Sequence, residues 1–161
     1  ICSYAAVEPW QEVLAAARLL GPDYRIYVTG NPVRAGLEVA SAPDNVEITG
    51  FLLEPDYVAL LRAADVVVVL TTRENCLVCG AYESLAVGRP MVLSDTAALR
   101  AHFAGAAVYS GHATEELAAA IKDAVSRREA IAAEMVEVRA RLLTEWQGRL
   151  ADLRKLLQTM L

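Results

Sequence analysis

The segment from Asp65 to Asp95 constrains the fold more than any other part of the chain. It opens with Asp65-Val-Val-Val-Val-Leu70, passes through the loop Thr71-Thr-Arg-Glu-Asn75 and the stretch Cys76 to Glu83, and closes on Gly88-Arg-Pro-Met-Val-Leu-Ser-Asp95. A solidly β-branched run reads as a central parallel strand, buried on both faces. Gly88 and Pro90 end the helix that carries Glu83 and start the next strand at once. In an open parallel sheet, ligands bind beyond the carboxyl ends of the strands. The pattern therefore delivers Glu74 to that edge and sets Glu83 on the helix behind it, so that two carboxylates face one crevice.

The rest of the chain repeats the alternation. Strands are expected at Ile1–Ala5, Tyr24–Thr29, Val46–Thr49, Pro90–Ser94 and Ala106–Tyr109. Helices are expected at Pro9–Leu20, Asp56–Ala63 and Ala97–Phe103, with a short one within Val33–Ala42. Strands alternating with helices mean parallel βαβ units, hence an α/β, Rossmann-like, doubly wound sheet. From Thr114, read as an N-cap ahead of Glu115 and Glu116, everything is helical. A helix starting near Arg128 carries apolar residues at Ile131, Met135, Val138, Leu142, Trp146, Leu150, Leu153, Leu157 and Met160. Gly148 predicts a kink or break near Gln147. The domain is thus residues 1–127, with 128–161 as a helical extension of it. The extension's apolar stripe docks on its own domain or on another one, or forms a homodimer seam.

Length and composition narrow the classes. A chain of 161 residues suits one domain, long enough to bury roughly two-thirds of its unfolded surface. Hydrophobic residues make up 55% of it, yet no apolar run reaches the eighteen or so residues of a membrane span. The opening at Ile1 has no basic, apolar and small-residue leader, and reads as the loss of an N-terminal part. A net charge of −5 with scattered Lys and Arg argues against nucleic acid as a partner. His102 and His112 are too isolated for a metal site, so none is expected. Cys76-x-x-Cys79 has no second pair to complete a zinc site, and the cysteines read as cytosolic structural thiols. Cys79 is the more reactive of them, being near a helix N-terminus. No Gly-x-Gly-x-x-Gly follows a strand and no Gly-Lys-Ser/Thr occurs, which removes nicotinamide dehydrogenases and P-loop NTPases.

The order Asp65, Glu74, Glu83-Ser-Leu-Ala-Val-Gly-Arg-Pro90 and Ser94-Asp95 resembles the donor-binding C-terminal domain of retaining GT-B glycosyltransferases. The family is the large one of sucrose, trehalose and mannosyl transferases, the glycosyl transferases group 1. Weaker similarity extends through Asn45–Phe51 and Tyr57–Asp65. The family marks its site with a Glu-x7-Glu pattern; here the spacing is one residue longer. An extra residue within a helix would rotate Glu83 by about 100°, whereas a loop absorbs it, and Asn75 and Gly80 bracket a non-periodic piece. The resemblance implies a nucleotide diphosphate-sugar as donor substrate, with no separate cofactor. It implies that Glu83 bridges the ribose hydroxyls, that Glu74 contacts the donor sugar as the catalytic residue, and that Leu77, Val78, Cys79 and Gly80 bind the diphosphate through backbone N–H groups. It also places Gly30, Gly50 and Arg73 among the residues that bind the nucleotide-sugar at the same edge. The family's Arg and Lys after the first strand have no counterpart in Ser3–Trp10, which leaves Arg73 or Arg34 to supply the cation. The resemblance also implies an acceptor-binding N-terminal domain absent from this chain, without which the fragment is inactive. It allows a membrane-lipid acceptor, with the protein cytoplasmic or peripheral at the inner face of the membrane. The alternatives are a non-catalytic Rossmann-like binding module and a nucleotide-sugar epimerase of the same fold.

Overall fold

A computed structural model describes the backbone of residues 1–36 and 41–159, and the side chains of these except residues 34 and 35. The helices are α1 (Trp10–Leu20), α2 (Glu54–Ala63), α3 (Cys79–Val87), α4 (Ala97–Phe103), α5 (Thr114–Ser126) and α6 (Arg128–Thr159). The strands are β1 (Ile26–Thr29), β2 (Val46–Gly50), β3 (Val67–Val69), β4 (Met91–Ser94) and β5 (Ala107–Ser110). All pairings are parallel. β1 lies beside β2, and separately β3, β4 and β5 follow one another in a three-stranded sheet. Crossover helices on both faces make this the α/β, Rossmann-like architecture that the alternating pattern predicts.

Each element has a local cause. Pro9 precedes the first turn of α1, and Leu14, Ala17 and Leu20 line its buried face. Pro55 sits in the first turn of α2, where its missing N–H costs nothing, so that helix starts two residues before the expected Asp56. Gly88 adopts φ +70° and closes α3 with N–H bonds back to Leu85 and Ser84. All four residues of β4 are buried, and Met91, Leu93, Leu99, Phe103 and Leu117 form the centre of the core. At roughly 1.5–3 kcal/mol for each large apolar side chain fully buried, this layer holds the three-stranded sheet to α4 and α5.

Several expectations are corrected. Ile1–Ala5 forms no strand: Tyr4 has φ +59°, and residues 6–8 make a turn. The central strand buried on both faces is β4, while β3 is confined to Val67–Val69 and Val68 is only half-buried. Ala113, not Thr114, is the N-cap of α5. Within Val33–Ala42 the structure shows a 3-10 turn at Pro32–Ala35, and residues 37–40 lie outside the described residues. α6 runs unbroken through Gly148, and Met160 lies outside the described residues. Only Ile131, Met135 and Val138 of α6 are buried, with Leu142 packed half-buried beside them.

Candidate functional site

The loop between β3 and α3 is built from three anchors. The N–H of Thr71 donates to Ser94 Oγ at 2.8 Å, the N–H of Thr72 to the Val7 carbonyl at 2.7 Å, and the N–H of Arg73 to Thr71 Oγ1 at 3.2 Å. Fully buried Ser94, the last residue of β4, also lies 2.9 Å from His112 Nε2. Residues 71, 94 and 112 thus meet at the carboxyl edge of the sheet, where parallel register sets Ser94 beside Ser110.

Past these anchors, Glu74 is exposed, and its Oε1 accepts the N–H of Ala97, the first residue of α4, at 2.9 Å. A carboxylate on free N–H groups at a helix start is a favourable charge-assisted contact. Four residues, Asn75–Val78, then complete the loop before α3 begins at Cys79. The extra residue of the Glu-x8-Glu spacing therefore has irregular backbone in which to sit.

The start of α3 has no side-chain cap. Val78 is its extended N-cap, Cys79 and Leu77 are exposed, and Gly80 is buried. A Cβ on Gly80 would stand 2.8 Å from Ile1 Cδ1 and 3.0 Å from a Val69 methyl, so only glycine lets the helix start lie against β3. Uncapped N–H groups and the helix dipole suit an anion at this end. Farther along α3, half-buried Glu83 accepts a short hydrogen bond from the Tyr57 hydroxyl of α2. Burial, and then this bond to Glu83, pushes the Tyr57 phenol up from its ordinary range. The two glutamates flank the helix start with different partners: Glu74 is tied to α4 and Glu83 to α2.

Gly30 and Gly50 end β1 and β2 at the same edge, and the Gly30 N–H donates to the Gly50 carbonyl at 2.9 Å. Gly30 has φ +102°, and a Cβ there would meet the Cys2 carbonyl at 2.1 Å. Its lack of a side chain admits the N-terminal segment. Beyond that segment, the Glu8 carboxylate collects the N–H groups of Ser3 at 2.8 Å and Ala5 at 3.1 Å, as well as the Ser3 hydroxyl. Burial raises the neighbouring Cys2 thiol to about 11. Arg73 is exposed, and among the described residues it makes no ion pair; the Arg34 side chain lies outside the described residues.

Sequence reasoning singles out neither Tyr57, Glu8 nor the Ser94–His112 contact as part of the site. Only Glu8 carried a readable signal, an acid just after a short loop and just before a helix-starting Pro9. Tyr57 and His112 meet their partners through tertiary packing across 26 and 18 residues. Among the described residues, no cluster of three His, Cys, Asp or Glu side chains is placed to hold a metal ion. Nor is any described helix long and apolar enough to cross a membrane.

Comparison with known proteins gives this edge its context. The profile of the family "Glycosyl transferases group 1" matches residues 6–127. A GDP-mannose-dependent alpha-(1-6)-phosphatidylinositol dimannoside mannosyltransferase of Mycobacterium tuberculosis is 34% identical over 145 residues, which cover 88% of this chain and 38% of that protein. The chain thus spans well under half the length of the curated relatives it matches. In structure it resembles a trehalose-6-phosphate synthase, with a TM-score of 0.75, 18% identity and coverage of 96% of this chain and 44% of the other. For the sucrose-phosphate synthase of Thermosynechococcus elongatus the TM-score is 0.72 with 18% identity, over 94% of this chain and 43% of the other. Anabaena HepE in complex with UDP and glucose gives 0.66 with 16% identity, over 91% and 46%. These likenesses establish the fold as that of one half of a GT-B glycosyltransferase. By the profile match and its mannosyltransferase relative, the chain belongs to the glycosyl transferases group 1 family.

Proposed function

We propose that this chain is the donor-binding domain of a glycosyltransferase that moves a sugar from a nucleotide diphosphate-sugar with retention. The observation that carries this reading is the arrangement at the carboxyl edge: an uncapped helix start at Cys79–Gly80, with Glu74 before it and Glu83 within the same helix. The helix start offers N–H groups to a diphosphate. Glu83 keeps Oε1 for a ribose hydroxyl while Tyr57 holds Oε2, and Glu74 turns toward the donor sugar. Exposed Arg73 supplies the cation that Ser3–Trp10 lacks. In the intact enzyme a second domain would close the crevice and bring the acceptor. A lipid headgroup is the acceptor class suggested by the mannosyltransferase relative, and it would set the protein at the inner membrane surface. The same relative makes GDP-mannose the first donor to test, with UDP-sugars next.

Calorimetric titration with GDP, UDP and ADP tests the reading. One of them is expected to bind, and Glu83→Ala should weaken it by about 1.5–3 kcal/mol, the value of a charge-assisted hydrogen bond. Unchanged affinity in Glu83→Ala would remove the ribose assignment. A second reading, a non-catalytic binding module with a decayed donor site, draws on Glu8. Its carboxylate fills the N–H groups of the loop where the family places its cations. Failure of all three nucleotides to bind would favour it.

A further inference from the structure

α6 is held to the molecule in two ways along its length. Its first half is fixed by burial of Ile131, Met135 and Val138, with Leu142 packed half-buried beside them. Beyond Leu142 the large side chains Leu143, Trp146, Leu153, Leu156 and Leu157 are exposed, so apolar burial contributes little there. A polar contact takes over at this point. Arg141 donates to the carbonyl of His102, in the last turn of α4, at 2.6 Å, and pairs with Glu145 at 2.8 Å. Residue 102 also carries an imidazole, a group that changes charge near neutral pH.

That imidazole stands at the corner of three helices. Its Nε2 lies 2.8 Å from the Tyr82 hydroxyl of α3, and its ring meets Tyr82 and Phe103 edge to face, with centroids 5.4 and 4.8 Å away. Phe103 is fully buried at the base of the cluster and His102 half-buried at its rim. From α6, Arg141, Glu145 and Arg149 face the ring. Arg100 of α4 is committed to Asp95, and the Glu134 carboxylate of α6 lies against Gly105, in the turn after α4. Two cations and one anion thus surround His102, and the anion is already paired with Arg141. A further positive charge is unfavourable in such a place. Burial and then Arg141 hold the imidazole below the ordinary histidine value; Glu145 pulls the other way, and Arg149 adds to the lowering. An imidazolium also donates from both ring nitrogens, so the Tyr82 hydroxyl then meets Nε2 only as an acceptor.

We propose that His102 is a proton-operated latch: neutral, it fastens α6 to the corner of α3 and α4, and protonated, it releases α6 from Arg141 onward. The proton comes from solvent, and no covalent bond changes. A base whose value is lowered in the docked state favours the released state as pH falls. The docked form is therefore fully favoured above the ordinary histidine value, 6.5, and is lost progressively as pH falls through the lower docked value. Once detached from α4, a segment of this length is marginal as a helix in water, so its amides exchange faster. The latch is independent of the nucleotide reading.

The test is hydrogen exchange of residues 1–161 at pH 7.5 and pH 5.0, each corrected for the chemical exchange rate at that pH. Protection of residues 143–159 is expected to fall by about threefold or more at pH 5.0, because the equilibrium shifts by up to about tenfold for each unit between the docked and released values. Protection of β4 should stay as it is. His102→Phe keeps a ring in the cluster without its charge and should abolish the fall, whereas His112→Gln should retain it and Glu145→Gln should enlarge it. If circular dichroism shows His102→Phe to be unfolded, His102→Asn is read in the same way. Equal protection of residues 143–159 at the two pH values would overturn the proposal, as would a fall that persists in His102→Phe. Loss of protection in β4 to the same degree would mean global acid unfolding and would overturn it as well.

Discussion

Ser94 ties three segments together with one hydroxyl, accepting from Thr71 and meeting His112. Replacing it by alanine leaves the Thr71 N–H buried beside a methyl group, at a cost of about 1–3 kcal/mol. His112 is half-exposed, so water can replace its ring nitrogen when it is removed. Urea unfolding of Ser94→Ala and His112→Ala should therefore show the larger loss in the serine variant, and the reverse order would break this account of the loop. Tyr57 supplies a second test at this scale. Its phenol is raised by burial and by Glu83, and the phenols of Tyr4 and Tyr109 are each raised to about 12, chiefly by burial. A group raised in the folded state holds its proton there while the unfolded chain gives it up. The stability it contributes is full below the unfolded value, about 10, and is lost as pH rises toward the folded value. The Cys2 thiol, raised to about 11, adds the same trend from a lower unfolded value, so unfolding free energy should begin to fall near pH 9 and fall further by pH 11.5, with a shallower fall in Tyr57→Phe.

At the scale of elements, α6 divides in two. Its first half is held by Ile131, Met135 and Val138, and Arg141 donates to the His102 carbonyl at 2.6 Å. There Tyr82, His102 and Phe103 stack edge to face and join α3 to α4. The second half leaves Trp146 61% exposed and Leu153 50% exposed, with i,i+4 pairing of Arg141 and Glu145 helping to keep it helical. Met135→Ala should cost about 2–5 kcal/mol, as for other buried large-to-small changes. Leu150→Glu with Leu153→Glu should leave the fold intact by circular dichroism while dissociating any dimer seen by sedimentation. Unfolding of that double variant would place the distal stripe in this domain's own core. The expected break at Gly148 does not occur: one glycine costs about 1 kcal/mol against alanine, which the helix formers around it offset.

At the scale of the molecule, the residues proposed to meet the donor lie along one open edge, and no described element covers it from above. Sugar transfer needs donor and acceptor held together and shielded from water, which one open edge does not supply. Residues 1–161 alone are expected to bind nucleotide and not to transfer sugar, as a radiolabelled-donor assay with lipid extract as acceptor would show. Transfer at an enzyme's ordinary rate by this chain alone would overturn the division of labour proposed above.

Sequence by itself determined the order and kind of nearly every element, because turn residues such as Gly88-Arg-Pro90 and the periodicities of two and 3.6 are local properties of the chain. Local signals also placed Glu74 in a loop and Glu83 on a helix, on either side of the uncapped start of α3. What only the tertiary structure decided was who meets whom: Tyr57 with Glu83, Ser94 with Thr71 and His112, and Glu74 with the start of α4. It also decided that Ile1–Ala5 is no strand. A strand needs a ladder with at least one neighbour along its length, and here a single bond from Ile1 to Val68 is made before Tyr4, at φ +59°, turns the chain out of extended backbone. Such partnerships depend on register and packing between segments far apart in the chain, which no local pattern encodes.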